Sequence, residues 1–124
     1  MSLVPFERRR RRSQECNTAL RFQLENTMKR GGLEAVCLSD GNGLLMAWAG
    51  EEELCAELGA VAPLLAHCPT GSLLVSGIRG EEVLVEAVEC FGQPLYLASI
   101  GGRRGTGAVL RHSLRGICRI LTAN

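Results

Sequence analysis

The stretch Leu33-Glu34-Ala35-Val36-Cys37-Leu38-Ser39-Asp40-Gly41-Asn42-Gly43-Leu44-Leu45-Met46-Ala47 joins an apolar run to a turn and a second apolar run. Asp-Gly and Asn-Gly both tolerate positive φ, which a tight hairpin requires. Two antiparallel strands are therefore expected, at 34–39 and 44–49. Ala35, Val36, Cys37 and Leu38 run without a polar interruption. That pattern predicts apolar cover on both faces of the sheet.

Helical patterns flank this hairpin. Ser13 can cap a helix from Gln14, whose stripe is Leu20, Leu24 and Met28 and whose end is Gly31–Gly32. A second helix is expected over 51–68, opened by three glutamates that suit the positive end of its dipole. Leu54, Leu58, Val61 and Leu65 form its stripe, and Pro63 is expected to kink it or end its regular hydrogen bonding. Three strands are expected at 72–78, 82–91 and 94–100, with turns at Arg79-Gly80 and Gly92-Gln93. A last helix, 106–121, carries Leu110, Leu114, Ile117, Cys118 and Leu121 on one stripe. The order is α-β-β-α-β-β-β-α. Short connections between successive strands imply a five-stranded antiparallel sheet with helices on both faces, an α+β arrangement.

Length and charge narrow the function classes. A chain of 124 residues with 46% hydrophobic and 22% charged residues fits one globular domain. No apolar run reaches the length of about 18 residues that a transmembrane helix needs. The net charge of +1 is unevenly spread. Residues 1–12 carry Arg8, Arg9, Arg10, Arg11 and Arg12 against Glu7 alone, and the remainder is mildly acidic. The domain boundary is therefore placed between a basic N-terminal arm, 1–12, and a folded unit, 13–124. The arm is expected to be flexible or loosely docked, not part of the fold, and to act as an electrostatic tether.

The six cysteines, at 16, 37, 55, 68, 90 and 118, include no C-x-x-C pair, and no secretory signal precedes them. They read as small hydrophobes in a reducing cytoplasm. No metal site, cofactor site or catalytic set is expected. Asp40, the one aspartate, sits in the hairpin turn, and neither His67 nor His112 has an acidic residue three or four positions away. Gly101–Gly107, with Arg103 and Arg104, matches neither a P-loop nor G-x-G-x-x-G and reads as a strand-to-helix turn. Arg111, Arg115 and Arg119 read as a solvated face. Aromatic residues make up only 4% and do not interleave with arginines, which disfavours nucleic-acid binding.

The outer face of the second helix is the strongest candidate site. Opposite the expected core stripe stand Ala56, Gly59, Ala60, Pro63 and Ala66, all small or compact and none charged. A surface helix ordinarily turns a polar face to water, so this side is expected to contact another chain.

The element order and the 33–47 hairpin, with the acidic, alanine-rich helix behind it, resemble the roadblock domain family (dynein light chain and LAMTOR type), and within it the bacterial MglB-like branch. The resemblance covers about residues 14–122. It implies a three-layer domain with the first and last helices on one face of the sheet and the second helix on the other. It also implies a homodimer, or a pair with a related roadblock protein, built through the second helices and the strand at 72–78. Leu73 and Val75 join Ala56, Gly59, Ala60, Pro63 and Ala66 in that expected contact. The implied partner is a small Ras-like GTPase, bound by a non-catalytic adaptor that also stimulates hydrolysis in MglB-type members. Thirteen arginines against one lysine suit a high-GC bacterial source. Two other readings stand beside it: a structural scaffold subunit without a GTPase, and a small-ligand or nucleotide-binding domain using Gly101–Gly107.

Overall fold

The computed structural model describes residues 3–66, 83–102 and 106–122, with side-chain surroundings from Gln14 onward, Thr106 excepted. Four antiparallel strands, β1 (Leu33–Asp40), β2 (Leu45–Ala49), β3 (Val83–Cys90) and β4 (Gln93–Gly101), stand in the order β2-β1-β4-β3. The expected fifth strand at 72–78, with Leu73 and Val75, lies outside the described residues.

The lack of alternation in β1 has the predicted consequence. Val36 and Leu38 point into a cluster with Leu20 and Leu24 of α1 (Leu3–Gly31) and Leu110, Leu114 and Ile117 of α3 (Thr106–Thr122). Ala35 and Cys37 point into a second cluster with Leu54, Cys55, Leu58 and Ala62 of α2 (Glu52–Ala66). The sheet is thus covered on both faces, by α1 and α3 on one side and by α2 on the other.

Asp40 makes the first turn. Its Oδ1 accepts from the backbone N–H groups of Asn42 at 2.8 Å and Leu44 at 3.0 Å, and its carbonyl accepts from Gly43 N–H at 3.0 Å. Gly43 takes φ 82°, and a Cβ there would stand 3.3 Å from the Ala60 Cα of α2. The turn is therefore pressed against the helix as well as bent.

Three boundaries differ from those read off the sequence. α1 begins at Leu3 and does not wait for a cap at Ser13. Arginine is a good helix former, and Pro5 falls in the first turn, where a missing N–H costs little. The second hairpin turns at Phe91–Gly92, one residue before the expected position, with φ 55° and 75°. Finally, α2 begins at Glu52, one residue later than expected, and continues helical past Pro63 to the limit of the described residues, the expected end at 67–68 lying outside them.

Candidate interaction surface

α2 lies on the sheet with leucines and small residues together on its inner face. Leu54, Cys55, Leu58, Gly59, Ala62 and Leu65 are buried, while Val61 is only half-buried. The buried face is turned by roughly 50° from the expected stripe, half of the 100° step between helical residues. The cause is steric. The sheet beneath presents Ala35, Cys37 and Ala98, which permit a close approach. A Cβ on Gly59 would stand 2.8 Å from Leu45 Cδ2. Gly59 therefore serves the contact with β2, and the structure removes it from the outer face where the sequence pattern places it.

The face turned to solvent carries Glu53, Ala56, Glu57, Ala60 and Leu64, with Pro63 and Ala66 half-buried at its border. Leu64 is 71% exposed. It belongs to neither stripe of the sequence pattern, yet it follows Ala60 by one helical turn. The face is acidic at its N-terminal end and apolar toward its C-terminal end.

The other candidates resolve into structural roles or remain unassembled. Gly101 and Gly102 take φ 77° and 118°, and a Cβ on Gly101 would meet Glu34 N at 3.2 Å, so the glycine is required by the approach to β1. Residues 103–105 lie outside the described set, as do His67 and Cys68. Asp40 is committed to its turn. Arg111 pairs with Glu86 of β3 at 3.1 Å, whereas His112, Arg115 and Arg119 are exposed on α3. Among the described residues no group of three or more His, Cys, Asp or Glu is gathered as a metal would require. None of the described helices is long and apolar enough to cross a membrane.

Cys16, Cys37, Cys55, Cys90 and Cys118 are free thiols. Burial pushes Cys37 up to about 12, with Cys55 nearby adding to the effect. Burial likewise pushes Cys55 up to about 11. Neither is a thiolate nucleophile at neutral pH. A groove of about 610 Å³ runs between α1 and the edge strand β2, lined by Arg21, Glu25, Met28, Lys29, Met46 and Trp48 among others. It holds no nucleophile–base pair.

No protein-family model matches the chain, and no curated protein is detectably similar to it. Solved structures are. MglB of Myxococcus xanthus aligns over 85% of this chain and 86% of its own at 17% identity, with a TM-score of 0.54. A structure described as MglB with tetrameric arrangement aligns over 85% and 89% at 16% identity, with a TM-score of 0.60. The gliding protein MglB of Thermus thermophilus gives 85% and 90% at 16% identity, again with a TM-score of 0.60. The chain therefore has the MglB-type roadblock fold that its hairpin and element order resemble.

Proposed function

We propose that this chain is a dimeric, non-catalytic regulator that binds a small Ras-like GTPase in the cytoplasm and stimulates its hydrolysis. The observation that carries the reading is the MglB-type fold over 85% of the chain. Its outward α2 face supplies a surface for assembly. Suppose two α2 helices cross antiparallel about Ala60. Each Leu64 then falls opposite Ala56 of the partner subunit, a large side chain over a small one. The same geometry keeps the acidic ends apart. Glu53 lies seven residues from Ala60, about 10 Å along the helix, so the two Glu53 residues stand about 20 Å apart, beyond the Debye length of about 8 Å. Pro63, Ala66, Leu73 and Val75 would border this contact, and Gly59 would support it from the sheet side. Regulation here needs no catalytic residue of this chain: it acts by holding the GTPase in a competent shape.

The test is a pull-down from native cell extract with a non-hydrolysable GTP analogue present, followed by a hydrolysis assay on the GTPase recovered. The expected result is a small GTPase retained by the wild type and lost with Leu64→Arg. Recovery of a multi-subunit assembly without any GTPase would support the scaffold reading instead.

A further inference from the structure

The two hairpin turns lie side by side at one end of the sheet. Asp40 pairs with Leu95 in the β1–β4 register, and a Cβ on Gly41 would stand 3.1 Å from Pro94 Cγ. Each turn displays a large apolar side chain to solvent: Leu44 is 65% exposed and Phe91 is 78% exposed. Phe91 is also in an unfavourable conformation. Its φ of 55° lies in the left-handed region, where asparagine or glycine is the usual occupant of such a turn. The fold therefore retains a bulky aromatic, fully presented, where local energetics disfavour it, and strain of this kind marks functional positions.

Cationic charge outweighs acidic charge at the same end, where Arg8–Arg12 and Arg119 stand against Glu7, Glu15, Asp40 and Glu89. α1 leads into β1 through Gly32, at the far end of the sheet, and runs back along β1 and β2. The seven steps of β1 from Leu33 to Asp40 span about 24 Å. A helix covers that distance in about 16 residues, which reaches roughly residue 15. The helical backbone of residues 8–12, five consecutive arginines, thus overhangs the hairpin-tip end. α3 approaches it too: Arg111 meets Glu86 in the middle of β3, and Cys118 and Arg119 line one surface groove with Val88, near the strand's end. Arg119 is exposed, and α3 contains no acidic residue.

We propose that this end docks on an anionic lipid bilayer, with Phe91 and Leu44 entering the interface and Arg8–Arg12 and Arg119 meeting lipid phosphates. Protruding apolar tips among cations suit a soft surface into which they can sink. Exposed Phe and Leu side chains bury at the boundary between headgroups and acyl chains, and basic segments are drawn to anionic leaflets. A rigid acidic protein would need matching hollows for both tips. The inference is independent of GTPase binding.

Vesicle flotation of the full chain tests it, with phosphatidylcholine vesicles containing or lacking about 30% phosphatidylglycerol, a fraction chosen to imitate an anionic leaflet. At 0.1 M salt the wild type should partition at least about tenfold more strongly onto the anionic vesicles, and this should fall at least about tenfold at 0.5 M salt. Phe91→Asn with Leu44→Ser should weaken partitioning at least about fivefold while keeping the salt dependence. Because Phe91→Asn relieves the turn, its melting temperature should hold or rise, so lost binding cannot come from unfolding. Replacing Arg8–Arg12 with glutamine should flatten the salt dependence. Failure of the wild type to float with anionic vesicles overturns the proposal, as does wild-type partitioning by both variants. Tighter binding to polyglutamate than to the vesicles also overturns it, in favour of an acidic polypeptide.

Discussion

Thr27 and Ser113 are both buried, and their hydroxyls hydrogen-bond at 2.6 Å across the α1–α3 contact. Thr27 Oγ1 also lies 2.8 Å from the Gln23 carbonyl, the natural acceptor for its proton. Thr27→Val keeps the shape and removes the hydroxyl, so Ser113 loses its side-chain partner in α1. Stability should drop by about 1–3 kcal/mol in denaturant titration, and Thr27→Val with Ser113→Ala should recover part of it. Cys37 gives a pH prediction. Its thiol ionises near 9.0 when unfolded and only near about 12 when folded. The unfolded chain therefore loses this proton first. The stability associated with the protonated thiol is complete below pH 9.0 and declines as pH rises toward about 12. Melting should occur at a lower temperature at pH 10.5 than at pH 8 (pH values set by the experimenter, roughly either side of the unfolded ionisation). Cys37→Ala should reduce that difference.

Among the elements, the β2–α2 connection is the one pressed most closely against backbone. Gly50 takes φ 109°, and a Cβ on it would stand 2.9 Å from the Glu34 carbonyl and 3.0 Å from Ala35 Cα. Both obstacles are β1 backbone, which cannot step aside as a side-chain tip can. Gly50→Ala should therefore cost about 2 kcal/mol or more, read as a shifted denaturant midpoint with unchanged slope. Elements are legible in the sequence where their cause is local. The Asp40 turn, the Gly32 stop and the Leu20/Leu24 and Leu110/Leu114/Ile117 stripes follow from nearest-neighbour chemistry. The rotation of α2 is not legible, because it depends on Ala35, Cys37 and Ala98, which meet the helix only after folding. Phe91 is hidden for a related reason: its sequence neighbours suit a strand, and register with β4 places it in the turn. The candidate face is legible in part. Ala56 and Ala60 are where composition suggests, Gly59 is not, and Leu64 stands outside both sequence stripes.

At the scale of the molecule, the sheet separates two unlike surfaces. α1 carries eight Lys or Arg against three Glu, and α3 adds three Arg without an acid. α2, on the opposite side, holds three Glu and no cation. A partner that docks by charge on one side is therefore repelled by the other, so assembly through α2 leaves the basic surface available. Ala60→Arg tests that arrangement. Ala60 is exposed in the single chain, so the longer side chain has room and the fold should be kept. At an antiparallel helix crossing, the same position would meet its own copy, and two guanidinium groups would face each other in a contact that excludes water. An unpaired buried charge costs about 3–5 kcal/mol in comparable deletions, enough to weaken a dimer by more than about a hundredfold. Sedimentation velocity at about 20 µM, a range where modest interfaces are occupied, should show a wild-type dimer and a folded Ala60→Arg monomer. Ala56→Leu should weaken the dimer by crowding the position opposite Leu64, whereas Glu52→Gln, one turn or more from that contact, should leave it intact. A wild type that sediments as a monomer would remove α2 as the assembly surface, and the GTPase would then have to be bound by one chain alone.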